Sequence, residues 1–325
     1  MPAPLALTCA SFTALGTDTV VRAAAAAAEA GFGSYWAAET TGPEAFTLLA
    51  GVGARHPGLG LGTGVVPVQF RTPQTTAMAA ATLQALDPER EVLLGVGLSS
   101  PVITEQWHGV PYGERPLARM REYVELVRQC LSGEPVTFDG DFYSCRGFRL
   151  GVRLGERRPR IVLAALNPQM LRLAGEVADG VLLNYVPPSH VPWSIEQVRA
   201  GGDATIYAYV HVGVGERTDD TVTLGRRDLF TYASAPAYQA SFAQAGYAEE
   251  MEAFRQARAA KDRDGALAAI SERMVDEIDT FGDADLVRAT VAAYREAGVE
   301  VPVIMPLPWG ADRRQSLFDT IGALS

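Results

Sequence analysis

The stretch LGLGTGVVPVQFRTPQTTAMAAATLQALDPEREVLLGVG (59–97) reads as one strand–helix–strand unit. Leu59–Val66 is a short apolar run, Gln74–Leu86 has helical spacing, and Glu91–Val96 is a second apolar run. Two apolar strands joined through a helix pair in parallel, with both sheet faces covered. The first strand ends on Gly62, Gly64 and Pro67, with Arg71 just behind. Proline cannot donate to a ladder, so the chain leaves the sheet there. Glycine at that exit lets backbone come close to a flat bound group.

The alternation continues along the chain. Further strands are predicted at Leu5–Cys9, Ser34–Ala37, Arg160–Ala164, Val181–Asn184, Thr205–Val212 and Val301–Met305. Helices are predicted at Asp18–Ala30, opened by a Thr/Asp cap and stopped by Gly31, and at Glu44–Val52 and Arg115–Leu131. Eight strands each followed by helix predict a (β/α)8 TIM barrel, with a doubly wound sheet as the rival. Insertions fall after strand four and before strand five. The second, PVTFDGDFYSCRGFRL (135–150), alternates around Asp139-Gly140 and predicts a β-hairpin. Because it joins a helix to the next strand, it is expected at the non-catalytic end of the barrel. Residues 245–271 are polar, alanine-rich and helical in pattern, and the segment 245–275 suggests a lid over the mouth. No Pro/Gly/Ser-rich linker divides residues 1–325, so a single domain is expected.

Composition narrows the function. With 48% hydrophobic residues, the 325-residue chain can bury a large core. A net charge of −10 disfavours nucleic acid and anionic membrane as partners. Cys9, Cys130 and Cys145 are too scattered for a disulfide framework. The start MPAPLALTCASF lacks a basic leader, and no run approaches the roughly 18 apolar residues of a membrane span. A cytoplasmic protein is the expectation.

Several chemistries lack their motifs. GLGLGTG (58–64) and GVGLSS (95–100) both miss the third glycine of a dinucleotide fingerprint. No phosphate-binding P-loop and no G-x-S-x-G elbow exists. His56, His108, His190 and His211 have no paired helical spacing, so no metal site is expected.

In a barrel of this kind the site lies at the C-terminal strand ends. That places Glu39 past strand two, Gly64, Val65 and Val66 past strand three, and Gly97, Leu98, Ser99 and Ser100 past strand four. Ala164–Asn167 follow strand five, Asn184 and Tyr185 follow strand six, His211 lies on strand seven, and Met305–Trp309 follow strand eight. Glu39 reads either as a helix cap or ion pair, or as a cofactor contact or proton handler. His108 reads either as an exposed loop residue or as an acid, and His211 as an interior residue. Asp179-Gly180 reads as turn chemistry at the opposite end. Ala165, Leu166 and Asn167 run into a helix opened by Pro168, whose free N–H groups favour a phosphate.

These residues resemble the bacterial-luciferase-like flavin and deazaflavin oxidoreductases. The resemblance rests on Arg71-Thr72-Pro73, Ala81-Thr82-Leu83, Gly95-Val96-Gly97, Arg121-Glu122, the hairpin pattern G-x-x-V-x-x-x-G-x-[FY]-[FY], and LAALNPQMLRLAGEVADGVLLN (163–184). With AYREAG (293–298) it spans nearly the whole chain. It implies a luciferase-like barrel whose third strand ends in a bulge with a cis Gly64–Val65 peptide supporting the cofactor's central ring. It implies cofactor contacts from Gly64, Val65, Val66, Gly97, Ser99, Ala165, Leu166, Asn167 and Asn184, and catalytic roles for Glu39 and His108. The segments AAET…EAF (37–46) and 164–184 lean towards the F420 branch, with FMN as the alternative.

The F420-dependent sugar-phosphate dehydrogenases of that branch carry an Asp-His pair after strand two, a glutamate after strand four, and phosphate-binding lysines. Here those loops hold Glu39-Thr40 and Ser99-Ser100-Pro101, and Lys261 is the only lysine. Glucose-6-phosphate oxidation is therefore not expected. The resemblance leaves reduction of a C=N or C=C bond in a small molecule, pterin-like or a natural-product intermediate, in an expected homodimer. The alternatives are an FMN-dependent monooxygenase fed by a separate reductase, and a cofactor-free barrel serving as a binding or subunit protein.

Overall fold

Residues 59–97 fold as the parallel crossover unit their pattern predicts, in a computed structural model that describes residues 4–325. Eight parallel strands form the wall: β1 (Ala6–Thr8), β2 (Ser34–Ala37), β3 (Gly60–Thr63), β4 (Val92–Gly97), β5 (Arg160–Ala164), β6 (Gly180–Leu183), β7 (Thr205–Val214) and β8 (Val301–Pro306). Each pairs with the next and β8 pairs with β1, closing the ring. The doubly wound rival is thereby set aside. Met1–Ala3, part of the start read as lacking a leader, lie outside the described residues.

The lumen is packed. Trp36, Leu93, Val162, Leu182, Tyr207, Tyr209, Val303 and Met305 form one buried cluster inside the wall. Outside, Ala23, Ala24 and Ala27 of helix Thr17–Glu29 are fully buried, so the alanine run lets that helix lie close on the sheet. Its expected Thr/Asp cap is absent: Gly16 occupies the cap position with no side-chain bond. Elsewhere the caps are chemical. Thr72 accepts the Thr75 N–H at 3.2 Å before helix Pro73–Leu86, and Glu44 accepts the Thr47 N–H at 2.7 Å before helix Ala45–Arg55.

Three expectations are corrected. The third strand is not continuous over 59–66: it breaks after Thr63 and resumes as a two-residue strand, Val66–Pro67. The hairpin (Val136–Asp139 with Ser144–Phe148) does not stay at the non-catalytic end. It climbs the outside of helix Pro116–Leu131, and the Glu122 carboxylate accepts the N–H groups of Asp141 and Phe142, each at 2.9 Å, and of Tyr143 at 3.3 Å. Arg115 and Arg119, at the mouth-side start of that helix, bond Asp141 and Tyr143. The largest insertion is a third one, between β7 and β8. Helices Asp219–Ala233, Pro236–Phe242, Ala248–Ala259, Arg263–Ala268 and Glu272–Ile278 share their own apolar core of Leu229, Phe242, Tyr247, Met251, Phe254 and Met274. The segment read as a lid is thus a packed helical body. It ends in a strand, Asp279–Gly282, that pairs with the upper half of β7. Among the described residues, no helix is long and apolar enough to cross a membrane.

Candidate active site

The break in the third strand is a bulge. Gly62 pairs with Leu93 and Val66 with Val96, so four steps on this strand match three on β4. The Gly64–Val65 peptide within the bulge is cis. Its backbone is held from three sides. The Gly64 N–H donates to Ala37 O at 2.8 Å, the Val65 carbonyl accepts from Glu39 N at 3.3 Å, and the Tyr209 hydroxyl donates across the lumen to the Gly64 carbonyl. The Val65 side chain is left half-buried at the rim.

Neighbouring residues pack closely against this shelf. Gly97 lies beside it, and a Cβ there would sit 2.7 Å from Val65 Cγ2 and 3.1 Å from Ala164 Cβ. Val66 pairs with Val96, while Ala164 and Leu98 keep partial solvent contact. The Ser99 N–H donates to Gln69 Oε1 at 3.4 Å, and among the described residues the buried Gln69 Nε2 has no partner. Gly64, Val65, Val66, Gly97 and Ser99 therefore surround one patch of the mouth.

Ala165 is tied to the wall, its N–H donating to Leu182 O at 3.2 Å. Leu166 and Asn167 lead into helix Pro168–Val177, where Asn167 makes no cap bond. Its Nδ2 instead donates to Ala237 O at 3.2 Å, and its buried Oδ1 has no partner. Asn184 is oriented by two bonds: Nδ2 donates to Tyr238 Oη and Oδ1 faces His211 Nε2, each at 2.9 Å. Helix Pro236–Phe242 thus braces the mouth above β5 and β6.

Glu39 takes the ion-pair reading. Arg71 reaches it at 3.3 Å and also binds Glu44, with its guanidinium over the Phe46 ring. Burial opposes ionisation of Glu44, but the Thr47 hydroxyl and N–H and the Arg71 charge hold its carboxyl below the ordinary value. His108 follows a π-helical turn, Val102–Trp107. Its Nε2 lies 2.7 Å from Thr40 O, and its exposed ring packs on Phe70. A carbonyl only accepts, so Nε2 carries the proton and Nδ1 is left free. His190 is buried and stacks on Trp193. At the far end Asp179 accepts the Ile161 N–H at 2.7 Å and pairs with Arg128, the turn role its sequence suggests.

Four residues of the region are not singled out by the sequence. Tyr209 lies on β7 and Gln69 at the exit of the third strand, and their roles depend on which way the bulge turns the backbone. Asp228 and Asp279 lie in the insertion, where a four-residue strand inside helical sequence gives no periodicity. His211, Asp228 and Asp279 meet beneath Tyr185, whose hydroxyl donates to Asp228 at 2.7 Å. Burial pushes the His211 imidazole down to about 3. It also pushes both carboxyls up, Asp279 further through the neighbouring Asp228 charge. Neutral His211 therefore forms no ion pair with Asp279, despite a 3.5 Å approach.

A flat ring with a phosphate-bearing tail fits these residues. Val65 offers a half-buried surface at the rim, Gln69 Nε2 and Asn167 Oδ1 are buried without a partner among the described residues, and the first N–H groups of helix Pro168–Val177 suit an anion. The fold and site define a (β/α)8 barrel built around such a group.

Residues 8–300 match the luciferase-like monooxygenase family, and the chain belongs to it. A Mycobacterium tuberculosis protein named as a coenzyme F420-dependent oxidoreductase is 32% identical over 317 residues, 86% of this chain and 88% of that one. The 5,10-methylenetetrahydromethanopterin reductase of Archaeoglobus fulgidus is 28% identical, covering 90% of each chain. The solved F420-dependent tetrahydromethanopterin reductase of Methanopyrus kandleri superposes with a TM-score of 0.80 over 99% of this chain and 98% of its own, at 20% identity.

Proposed function

We propose that this chain is an F420-dependent oxidoreductase that uses F420H2 to reduce a C=N or C=C bond of a small, pterin-like or natural-product substrate. The observation that carries the reading is the strand-end bulge at Gly64–Val66, with Val65 half-buried at the rim beside Gly97, in a chain related along most of its length to F420-dependent proteins. When bound, the deazaflavin supplies a hydride from a ring carbon and does not readily activate oxygen.

The chain's own residues then divide the remaining work. Val65 supports one ring face, Val66 takes part through its backbone because its side chain is buried in the core, and Tyr209 keeps the shelf from yielding by holding the Gly64 carbonyl. Ser99, Ala165, Leu166 and Asn167, with the N–H groups of Gln169 and Met170, hold the ring edge and phosphate. Asn184 presents an amide already fixed by Tyr238 and His211. The Glu39–Arg71–Glu44 cluster sets the rim on the β2 side. His108 is anchored through Nε2, so its Nδ1, once it has taken a proton from solvent, passes that proton to the substrate after the hydride and returns to the neutral ring. A homodimer is the assembly we infer from the resemblance.

Fluorescence titration with F420 and with FMN tests the cofactor. F420 should bind about tenfold or more tightly than FMN, a difference of about 1.4 kcal/mol. FMN binding with no F420 binding would overturn the reading in favour of the monooxygenase. Binding of neither would favour the cofactor-free barrel. With F420 bound, His108→Gln should lower the rate of imine or enone reduction about a hundredfold at unchanged cofactor affinity.

A further inference from the structure

We propose that His211, Asp228 and Asp279 form a binding site for one divalent transition-metal cation of the Zn2+ or Mn2+ type, which pins the β7–β8 insertion to the barrel wall. The three residues come from separate elements: β7, helix Asp219–Ala233 and the strand Asp279–Gly282. Each offers a ligand atom, and the three atoms lie within 4.8 Å of one another. Ligands at 2.0–2.2 Å around a tetrahedral ion stand about 3.4 Å apart, so shifts of up to about an ångström, within the reach of side-chain rotation, close the site.

Burial and hydrogen bonding point the same way. His211 and Asp279 side chains are 1% and 0% exposed. Among the described residues, His211 Nδ1 and both Asp279 oxygens have no hydrogen-bond partner. Orphaned groups at that depth are costly and call for a ligand or a proton. The surroundings suit a ligand. Asn184 Nδ2 is committed to Tyr238, which leaves Asn184 Oδ1 as an acceptor facing His211 Nε2. The Nε2–H tautomer is thereby fixed and the Nδ1 lone pair is turned to the carboxylates, the usual outer support of a metal-bound histidine. Tyr185 does the same for Asp228 by donating to Oδ2. Two carboxylates cancel the charge of a dication, and an imidazole with two carboxylates is the hard-to-borderline donor set such ions take.

The test uses the untagged full-length protein, stripped with EDTA, equilibrated with Zn2+ or Mn2+, desalted and assayed for metal per chain. The expected result is about one equivalent with a raised Tm, and loss of that equivalent in Asp279→Asn and His211→Gln at unchanged far-UV circular dichroism. If either variant fails to fold, the wild-type Co2+ form decides: a paramagnetically shifted signal from one histidine ring is expected. Wild-type protein that retains no metal overturns the proposal and leaves a protonated carboxyl pair. A metal equivalent that survives in both folded variants, or Co2+ protein without that ring signal, overturns it too.

Discussion

Gly97 reports on the shelf more cleanly than Gly64 does. A Cβ on Gly64 would run into the Tyr209 hydroxyl and approach Trp36, so its replacement strains the lumen as well as the cofactor surface. Gly97→Ala instead presses on Val65 and Ala164 alone among its nearest neighbours. We expect F420 affinity to fall about tenfold, with an overpacking cost of about 1–3 kcal/mol. Titration and calorimetry together read the two effects. Tyr209→Phe removes the donor to the buried Gly64 carbonyl. Leaving that acceptor unpaired costs about 1–3 kcal/mol, so the variant should show a lower Tm and weaker cofactor binding while the lumen ring stays in place. Unchanged binding would mean that the shelf does not depend on its brace.

At the scale of elements, the hairpin depends on one carboxylate. Glu122→Ala frees three turn N–H groups, and we expect faster proteolysis at residues 139–144 with the barrel intact. The junction before helix Val191–Arg199 is pH-sensitive. Burial holds the His190 imidazole below its ordinary 6.5, so the unfolded chain binds the proton more readily. Its contribution is complete above that value and is lost as pH falls through the lowered one. Among the described residues His190 Nε2 has no partner, so His190→Phe keeps the Trp193 stack without an orphan and should flatten the loss of Tm between pH 7 and pH 5. These elements also mark how far the sequence could be read. Apart from the third, the barrel strands carry enough apolar pattern to be placed within a residue or two, and the bulge was legible only through the family resemblance. The hairpin's direction was not legible, because its anchor Glu122 lies on another element. The strand Asp279–Gly282 was hidden by its length, and so the meeting of His211 with Asp228 and Asp279 could not be foreseen. Glu39 was legible as a rim residue, but its commitment to Arg71 depends on how two loops close.

For the whole molecule, the strand ends define one working face. Hydrogen exchange with and without F420 should protect residues 62–66, 97–100, 165–170 and 184–186, and leave the Arg160–Ile161 and Asp179–Gly180 end unchanged. Protection confined to that lower end would invert the assignment. β7 runs ten residues, with β6 beside its lower half and Asp279–Gly282 beside its upper half. The bowl is therefore lopsided, with a high back and a low front where Ala38–Thr40 and Leu98–Ser100 meet solvent. Ala38, Thr40, Leu98 and Ser100 keep partial solvent contact, so their side chains can be rewritten to admit new reactants while Glu39, Ser99 and the high back stay as they are.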